Sequence, residues 1–187
     1  MSRINTRYLG LELESPIIAG SSNFTSKVES IAEAEAAGAG AVVLKSLFEE
    51  QIVSMAHSMS SRESYPEADD YLQYYTRTNS VETYLDLVAR ARKSVRIPVI
   101  ASINCFSPKG WIDFAVEIEK AGASALEVNI FFMPVDKHQS STDSEAVYFK
   151  IIDNLRKRLT IPVSVKIGLR FSNLLNFAWQ MHNHGAS

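Results

Sequence analysis

The sequence predicts an α/β fold, a (β/α)8 TIM barrel truncated after about five βα units. Three observations point there. A short phrase recurs: Ala37-Gly38-Ala39-Gly40-Ala41 runs into Val42-Val43-Leu44-Lys45, and Ala121-Gly122-Ala123-Ser124-Ala125 runs into Leu126-Glu127-Val128-Asn129. A helical pattern precedes each copy and an apolar run follows, so Gly stops a helix, small residues turn the chain and a buried strand begins. A second signal repeats as well: Ile97-Pro98-Val99 returns as Ile161-Pro162-Val163, 64 residues on. Finally, the apolar runs end in single polar residues. Alternating strand and helix patterns predict a parallel sheet. A doubly wound sheet of five strands would be complete at 187 residues, whereas an eight-stranded barrel needs about 250. The repeat favours the barrel, because the strand ends are alike and His184-Gly185-Ala186-Ser187 opens the phrase a third time. The expectation is one partial barrel domain over 1–187. No Gly-x-Gly-x-x-Gly follows the first strand, which counts against a dinucleotide fold.

In chain order, Ser15-Pro16-Ile17-Ile18-Ala19-Gly20 reads as the first strand, with Pro tolerated at its start. Ser26-Lys27-Val28-Glu29 has the capping-box pattern and opens a helix that Gly38 ends. The stretch 47–79 mixes serines, charge and the tyrosines Tyr65, Tyr71, Tyr74 and Tyr75, and is expected to form a long packed excursion, a lid. A helix follows over 79–95, then a strand over 97–104. Ser107-Pro108 caps the next helix, which Gly122 ends. The strand 125–130 leads to a loop, and Thr142-Asp143-Ser144-Glu145 is expected to cap a helix to about residue 159. The last elements are a strand over 161–167 and a helix over 172–183.

Composition narrows the function classes. The net charge of −2 gives no case for nucleic acid or an anionic membrane as partner. The single cysteine, Cys105, excludes an internal disulfide and fits a reducing, cytoplasmic setting. No leader-like segment opens the chain, and no apolar run approaches 18 residues. His182 and His184 are two apart and do not share a helix face, so no metal site is expected. His57 and His138 fall in loops and are expected to be solvated.

Chemistry in such a barrel sits at the C-terminal ends of the strands. Here those positions carry Ser21, Lys45 with Ser46, Asn104, Asn129 and Lys166. An ammonium there can stabilise developing negative charge, and an asparagine amide, which both donates and accepts, can hold a planar heterocycle by its edge. Two other readings stay open. Lys45 or Lys166 could form a Schiff base, as in a lysine lyase on the same fold. Alternatively the chain is a non-enzymatic fragment whose exposed edges favour self-association into a homo-oligomer.

The strand phrases resemble the N-terminal part of the dihydroorotate dehydrogenase family, FMN-containing (β/α)8 barrels. The matching residues are Ser15-Pro16-Ile17-Ile18-Ala19-Gly20-Ser21, Ala37 to Ser46, Ile100-Ala101-Ser102-Ile103-Asn104, Glu127-Val128-Asn129 and Val165-Lys166-Ile167-Gly168. The resemblance implies an FMN-dependent oxidoreductase acting on dihydroorotate or a related small molecule in pyrimidine biosynthesis. It places Ala19, Gly20, Ser21, Lys45, Ser46, Asn104, Asn129 and Lys166 against the flavin, Lys45 and Asn129 also against substrate, and Lys166 as the cation that stabilises the reduced ring. Three features depart from the family. Its catalytic Cys or Ser after the fourth strand is replaced by Phe131-Phe132-Met133-Pro134. Its Asn-rich substrate loop is absent from 47–79, and strands six to eight, with the FMN phosphate site, are missing.

Overall fold

The computed structural model describes residues 4–48, 66–104, 108–130, 135–169 and 171–187, with backbone only over 66–79 and 108–111. The chain opens with an antiparallel hairpin, β1 (Thr6–Tyr8) and β2 (Leu11–Leu13), which sequence reading did not anticipate. Its two turn residues, Leu9 and Gly10, have φ of 53° and 73°, the left-handed pair that a two-residue hairpin turn needs. The remaining strands are β3 (Ile18–Ala19), β4 (Ala41–Val43), β5 (Leu47–Phe48), β6 (Val99–Asn104), β7 (Ala125–Asn129) and β8 (Val163–Lys166). All pair in parallel. Val42 lies opposite Val99 and Leu47 opposite Ile103, so β4 and β5 are two pieces of one interrupted strand beside β6.

The strands therefore fill five positions in strict sequence order. The helices are α1 (Val28–Ala36), α2 (Pro66–Ser94), α3 (Pro108–Lys120), α4 (Ser141–Arg156) and α5 (Leu174–Asn183). They contact one another in the same order, α1 with α2, α2 with α3, and so on. A doubly wound sheet reverses strand order and has helices on both faces. One helical layer over a sequentially ordered parallel sheet is the arrangement of a (β/α) barrel.

Alternation along each strand separates two cores. Val42, Leu44, Val99, Ala101, Ile103, Leu126, Val128 and Val163 face the helices and pack with Ile31, Val88, Ala115, Ile118, Ile152 and Phe177. Full burial of each such Leu, Ile or Phe side chain contributes about 1.5–3 kcal/mol. The opposite face carries Ala41, Val43, Ile100 and Ala125, and Leu9 and Leu13 of the hairpin plug it at the strands' N-terminal end.

The recurring phrase makes the same joint three times. Gly38, Gly122 and Gly185 have φ of 97°, 100° and 98°, which only glycine adopts cheaply. In each, the glycine N–H bonds three residues back and the next N–H five back (Ala39 to Ala34, Ala123 to Ile118, Ala186 to Met181), a Schellman end. Two residues after each glycine, an N–H docks on the preceding strand: Gly40 on Ile17, Ser124 on Val99 and Ser187 on Val163. The third copy thus lies along β8 as the first two lie along β3 and β6.

Several expectations on local detail are corrected. The segment 66–79 is helical, so α2 starts at Pro66 rather than near 79; Pro at the first helical position loses no hydrogen bond. The rest of the expected excursion, 49–65, and the tyrosine side chains of the expected lid lie outside the described residues, as do Cys105, Ser107, His57 and 131–134. Ser26 does not cap α1. It closes a 3-10 turn (Phe24–Ser26) by donating to the Asn23 carbonyl at 2.6 Å, and the helix starts at Val28. The capping box of α4 is Ser140 with Asp143, two residues earlier than expected. Ser140 Oγ donates to the Asp143 carboxylate at 2.6 Å and accepts its N–H at 3.1 Å, and the hydroxyl's bond holds the carboxyl below its usual range.

Candidate functional site

Residues 102, 104, 127, 129, 164 and 166 share the face of Ile100 and Ala125, because side chains alternate along a strand. That face is apolar near the hairpin and polar at the opposite end. There it opens into a cleft of about 600 Å³ at the C-terminal ends of the strands, where Ser21, Lys45, Ser46, Asn104, Asn129 and Lys166 meet. Phe48, Ile130 and Ile167 supply apolar wall. Of the eight residues expected to bind a cofactor, Ala19 and Gly20 are not part of this lining. Ala19 packs on the helix-side core, and the Gly20 carbonyl takes the Thr25 hydroxyl at 3.4 Å.

The break between β4 and β5 is what brings Lys45 and Ser46 to the cleft. Leu44 N–H still bonds to the Ile100 carbonyl at 2.9 Å. Beyond it the ladder stops. Tyr84, reaching in from α2, donates its hydroxyl to the Ser102 carbonyl at 2.9 Å and accepts the Ser102 N–H at 2.8 Å. One phenol thus satisfies both backbone groups that a continuous strand would have paired, as buried backbone requires. Burial pushes that phenol well above the usual tyrosine range, so it stays a neutral donor. Released from the ladder, Ser46 N–H bonds instead to Ser21 Oγ at 3.0 Å.

A buried polar network runs under the cleft floor. Ser46 Oγ contacts Ser21 Oγ at 3.1 Å and Ser102 Oγ at 2.7 Å. Ser102 Oγ donates to Glu127 Oε1 at 3.0 Å, and Lys166 Nζ donates to the same oxygen at 3.2 Å. Asn129 Nδ2 donates to Ser46 Oγ at 3.2 Å and Ser102 Oγ at 3.3 Å. Its Oδ1 is buried and has no partner among the described residues. An unmet buried acceptor costs on the order of 1–3 kcal/mol, so the site is built with one hydrogen bond left to make.

Sequence reading missed Tyr84, Ser102 and Glu127. For the latter two a signal existed. Each stands two residues before an expected site asparagine, on the same face of the same strand. Tyr84 gave none, since its helix sits behind the sheet and its role depends on a ladder break. His138, His182 and His184 are not part of the cleft lining; His184 Nδ1 lies 2.7 Å from Asp153 Oδ1 and its ring stacks on Phe149. Among the described residues no cluster of metal-ligating side chains forms, and no helix is long and apolar enough to cross a membrane.

No family profile matches the chain. It is 23% identical over 186 residues to the catalytic subunit of dihydroorotate dehydrogenase B (NAD+) from Thermoplasma volcanium, covering 95% of this chain and 58% of the relative. Among solved structures it resembles an IMP dehydrogenase/GMP reductase-like protein from Corynebacterium glutamicum at TM-score 0.54 and 16% identity, over 98% of this chain and 46% of that one. It also resembles a dihydrodipicolinate synthase family protein from Coccidioides immitis at TM-score 0.56 and 14% identity, over 91% and 49%. At such identities the structural likeness concerns the fold alone. Together these findings establish a TIM-barrel arrangement of βα units with distant sequence similarity to an oxidoreductase.

Proposed function

We propose that this chain carries the ring-binding half of an FMN-dependent oxidoreductase site of the dihydroorotate dehydrogenase kind, acting on a small molecule. The observation that carries the reading is the convergence of Ser21, Lys45, Ser46, Asn104, Asn129 and Lys166 on one cleft at the strands' C-terminal ends. The similarity to a dihydroorotate dehydrogenase catalytic subunit supports it. FMN, when bound, supplies two-electron hydride chemistry.

The donors and acceptors present fit its ring. The pyrimidine edge of a flavin alternates carbonyl oxygens with an imide N–H. Asn129 Oδ1 is a buried acceptor lacking a donor, suited to that N–H. Lys166 and Lys45 are cationic donors at the same mouth, suited to the flanking oxygens and to negative charge on the ring. Glu127 holds Lys166 from one side at 3.2 Å, which limits the ammonium's swing and directs it to the cleft. Phe48, Ile130 and Ile167 are the apolar lining that would shield a bound ring from water. Phe131-Phe132-Met133-Pro134, which stand where the resembled family carries a Cys or Ser, offer no side chain that can take the substrate proton.

The test is direct. The purified chain, incubated with FMN and desalted, should stay yellow and quench flavin fluorescence. A folded protein that emerges colourless overturns the reading. The lysine-lyase alternative predicts that borohydride with a carbonyl compound labels Lys45 or Lys166. The flavin reading expects no label at either lysine.

A further inference from the structure

We infer that Glu127 is a positioning residue: through two serine hydroxyls it fixes which way the Asn129 amide faces, and so makes the cleft select ligands that present an N–H donor. The argument is a count of protons. A carboxylate can only accept, so the 3.0 Å contact with Glu127 consumes the single hydroxyl proton of Ser102. Ser102 must then accept in its 2.7 Å contact with Ser46, which consumes the Ser46 proton. Neither hydroxyl has a proton left for Asn129. The amide can meet them only with its donor side, and Nδ2 does face both, at 3.2 and 3.3 Å. Ser21 in turn must donate to Ser46, whose own hydroxyl proton is already spent on Ser102. Every hydroxyl lone pair at the core of the network is then filled. The buried acceptor that remains is Asn129 Oδ1, on a residue that lines the cleft.

The amide direction is normally an open choice, settled by its neighbours. Here the settling group is a carboxylate two residues away on the same strand, itself held by Lys166. Replacing Glu127 by Gln removes the obligatory acceptor. The amide of Gln can donate to Ser102, the relay reverses, and Asn129 is free to present either side.

Two measurements test this, and the ligand measurement rests on the flavin reading while the other does not. In the ligand-free 15N-labelled chain, the Asn129 side-chain amide signal, identified by its loss in Asn129→Asp, should exchange with deuterium at least about tenfold more slowly than in Glu127→Gln. Ser102→Ala, which breaks the relay one link later, should match Glu127→Gln. Equal exchange in all three overturns the positioning role. For the ligand, wild-type chain should bind riboflavin at least about tenfold more tightly than 3-methylriboflavin, which lacks the imide N–H. That ratio should fall toward one in Glu127→Gln. Equal binding of the two flavins by the wild type overturns the selectivity. Binding of neither overturns the flavin reading and the imide ligand with it, and the exchange comparison still decides the relay.

Discussion

The two ends of the sheet are built on different rules. At the N-terminal ends of the strands, parts repeat. Glu35 Oε1 accepts the N–H groups of Arg96 and Ile97 at 2.7 and 3.1 Å. Glu119 Oε1, also three residues before its glycine, accepts those of Thr160 and Ile161 at 2.8 and 3.0 Å, and the Thr160 hydroxyl at 2.5 Å. Each carboxylate ties a helix end to the loop before the next Ile-Pro-Val. At the C-terminal ends the closing residue types recur but, among the described residues, their contacts do not: Ser46, Ser102, Glu127, Asn129 and Lys166 each make different ones. Interchangeable parts serve one purpose everywhere, holding the strands, while unlike parts serve a single place. The difference locates stability at one end and chemistry at the other.

The sharpest way to break that division is at Gly40. A Cβ there would lie 1.9 Å from the Ser15 carbonyl oxygen and 2.9 Å from its carbon. Backbone cannot step aside cheaply, so Gly40→Ala should cost ~3 kcal/mol or more in denaturant unfolding. Gly38→Ala has open space around it and only the φ of 97° to strain, so about 1 kcal/mol is expected. If the two variants unfold alike, close approach is not what Gly40 provides.

Tyr84→Phe probes the border between the regions. It removes one hydroxyl and strands both the N–H and the carbonyl of Ser102. The expected loss is about 2–3 kcal/mol, from two buried backbone groups left unpaired. Because Ser102 anchors the network, flavin affinity should fall with it. A variant that loses stability and keeps full affinity would show that the ladder break does not shape the cleft.

Glu119 tests the repeated end by pH. Burial alone would raise its carboxyl, but the Thr160 side chain and N–H, the Ile161 N–H and nearby Arg156 outweigh this and hold it below its ordinary value of 4.5. A group depressed in the folded state stabilises above its unfolded value and loses that contribution as pH falls through the folded one. Glu119→Ala should therefore cost about 1–2 kcal/mol at neutral pH, discounted for its exposure. The gap from wild type should narrow as pH drops below the ordinary carboxylate range. Glu35→Ala, which loses fewer bonds, should cost less. Neither change should alter flavin binding.

The same division explains what could be read in advance. The repeated end was legible, because Gly38, Gly122 and Gly185 announce a local conformation that needs no tertiary information. The polar residues that close the strands were legible as a set, since a parallel βα order brings all strand ends to one rim. The hairpin was not: Leu9 at φ 53° contradicts its own residue type and is held there by burial against Ala41, Val43, Ile100 and Ala125. The helix over 66–79 was hidden by serines and charges around it. The roles of Glu127 and Ser102 depend on hydroxyl proton counts between strands, which no single segment contains.

Asn129 closes the comparison with the smallest expected change in stability. Asn129→Leu keeps a similar volume and removes two long hydrogen bonds, at 3.2 and 3.3 Å. It also removes the buried Oδ1 that has no donor. The lost bonds and the relieved acceptor are each worth on the order of 1 kcal/mol, with opposite signs. The net should lie within about 1 kcal/mol of wild type, on the stabilising side if the acceptor's penalty is the larger. Riboflavin affinity should nevertheless drop at least about tenfold, since the ligand's N–H loses its partner. Glu119→Ala does the reverse, lowering stability and sparing affinity. A large loss of stability in Asn129→Leu would mean that the network holds the strands together, and the separation between the two ends would not stand.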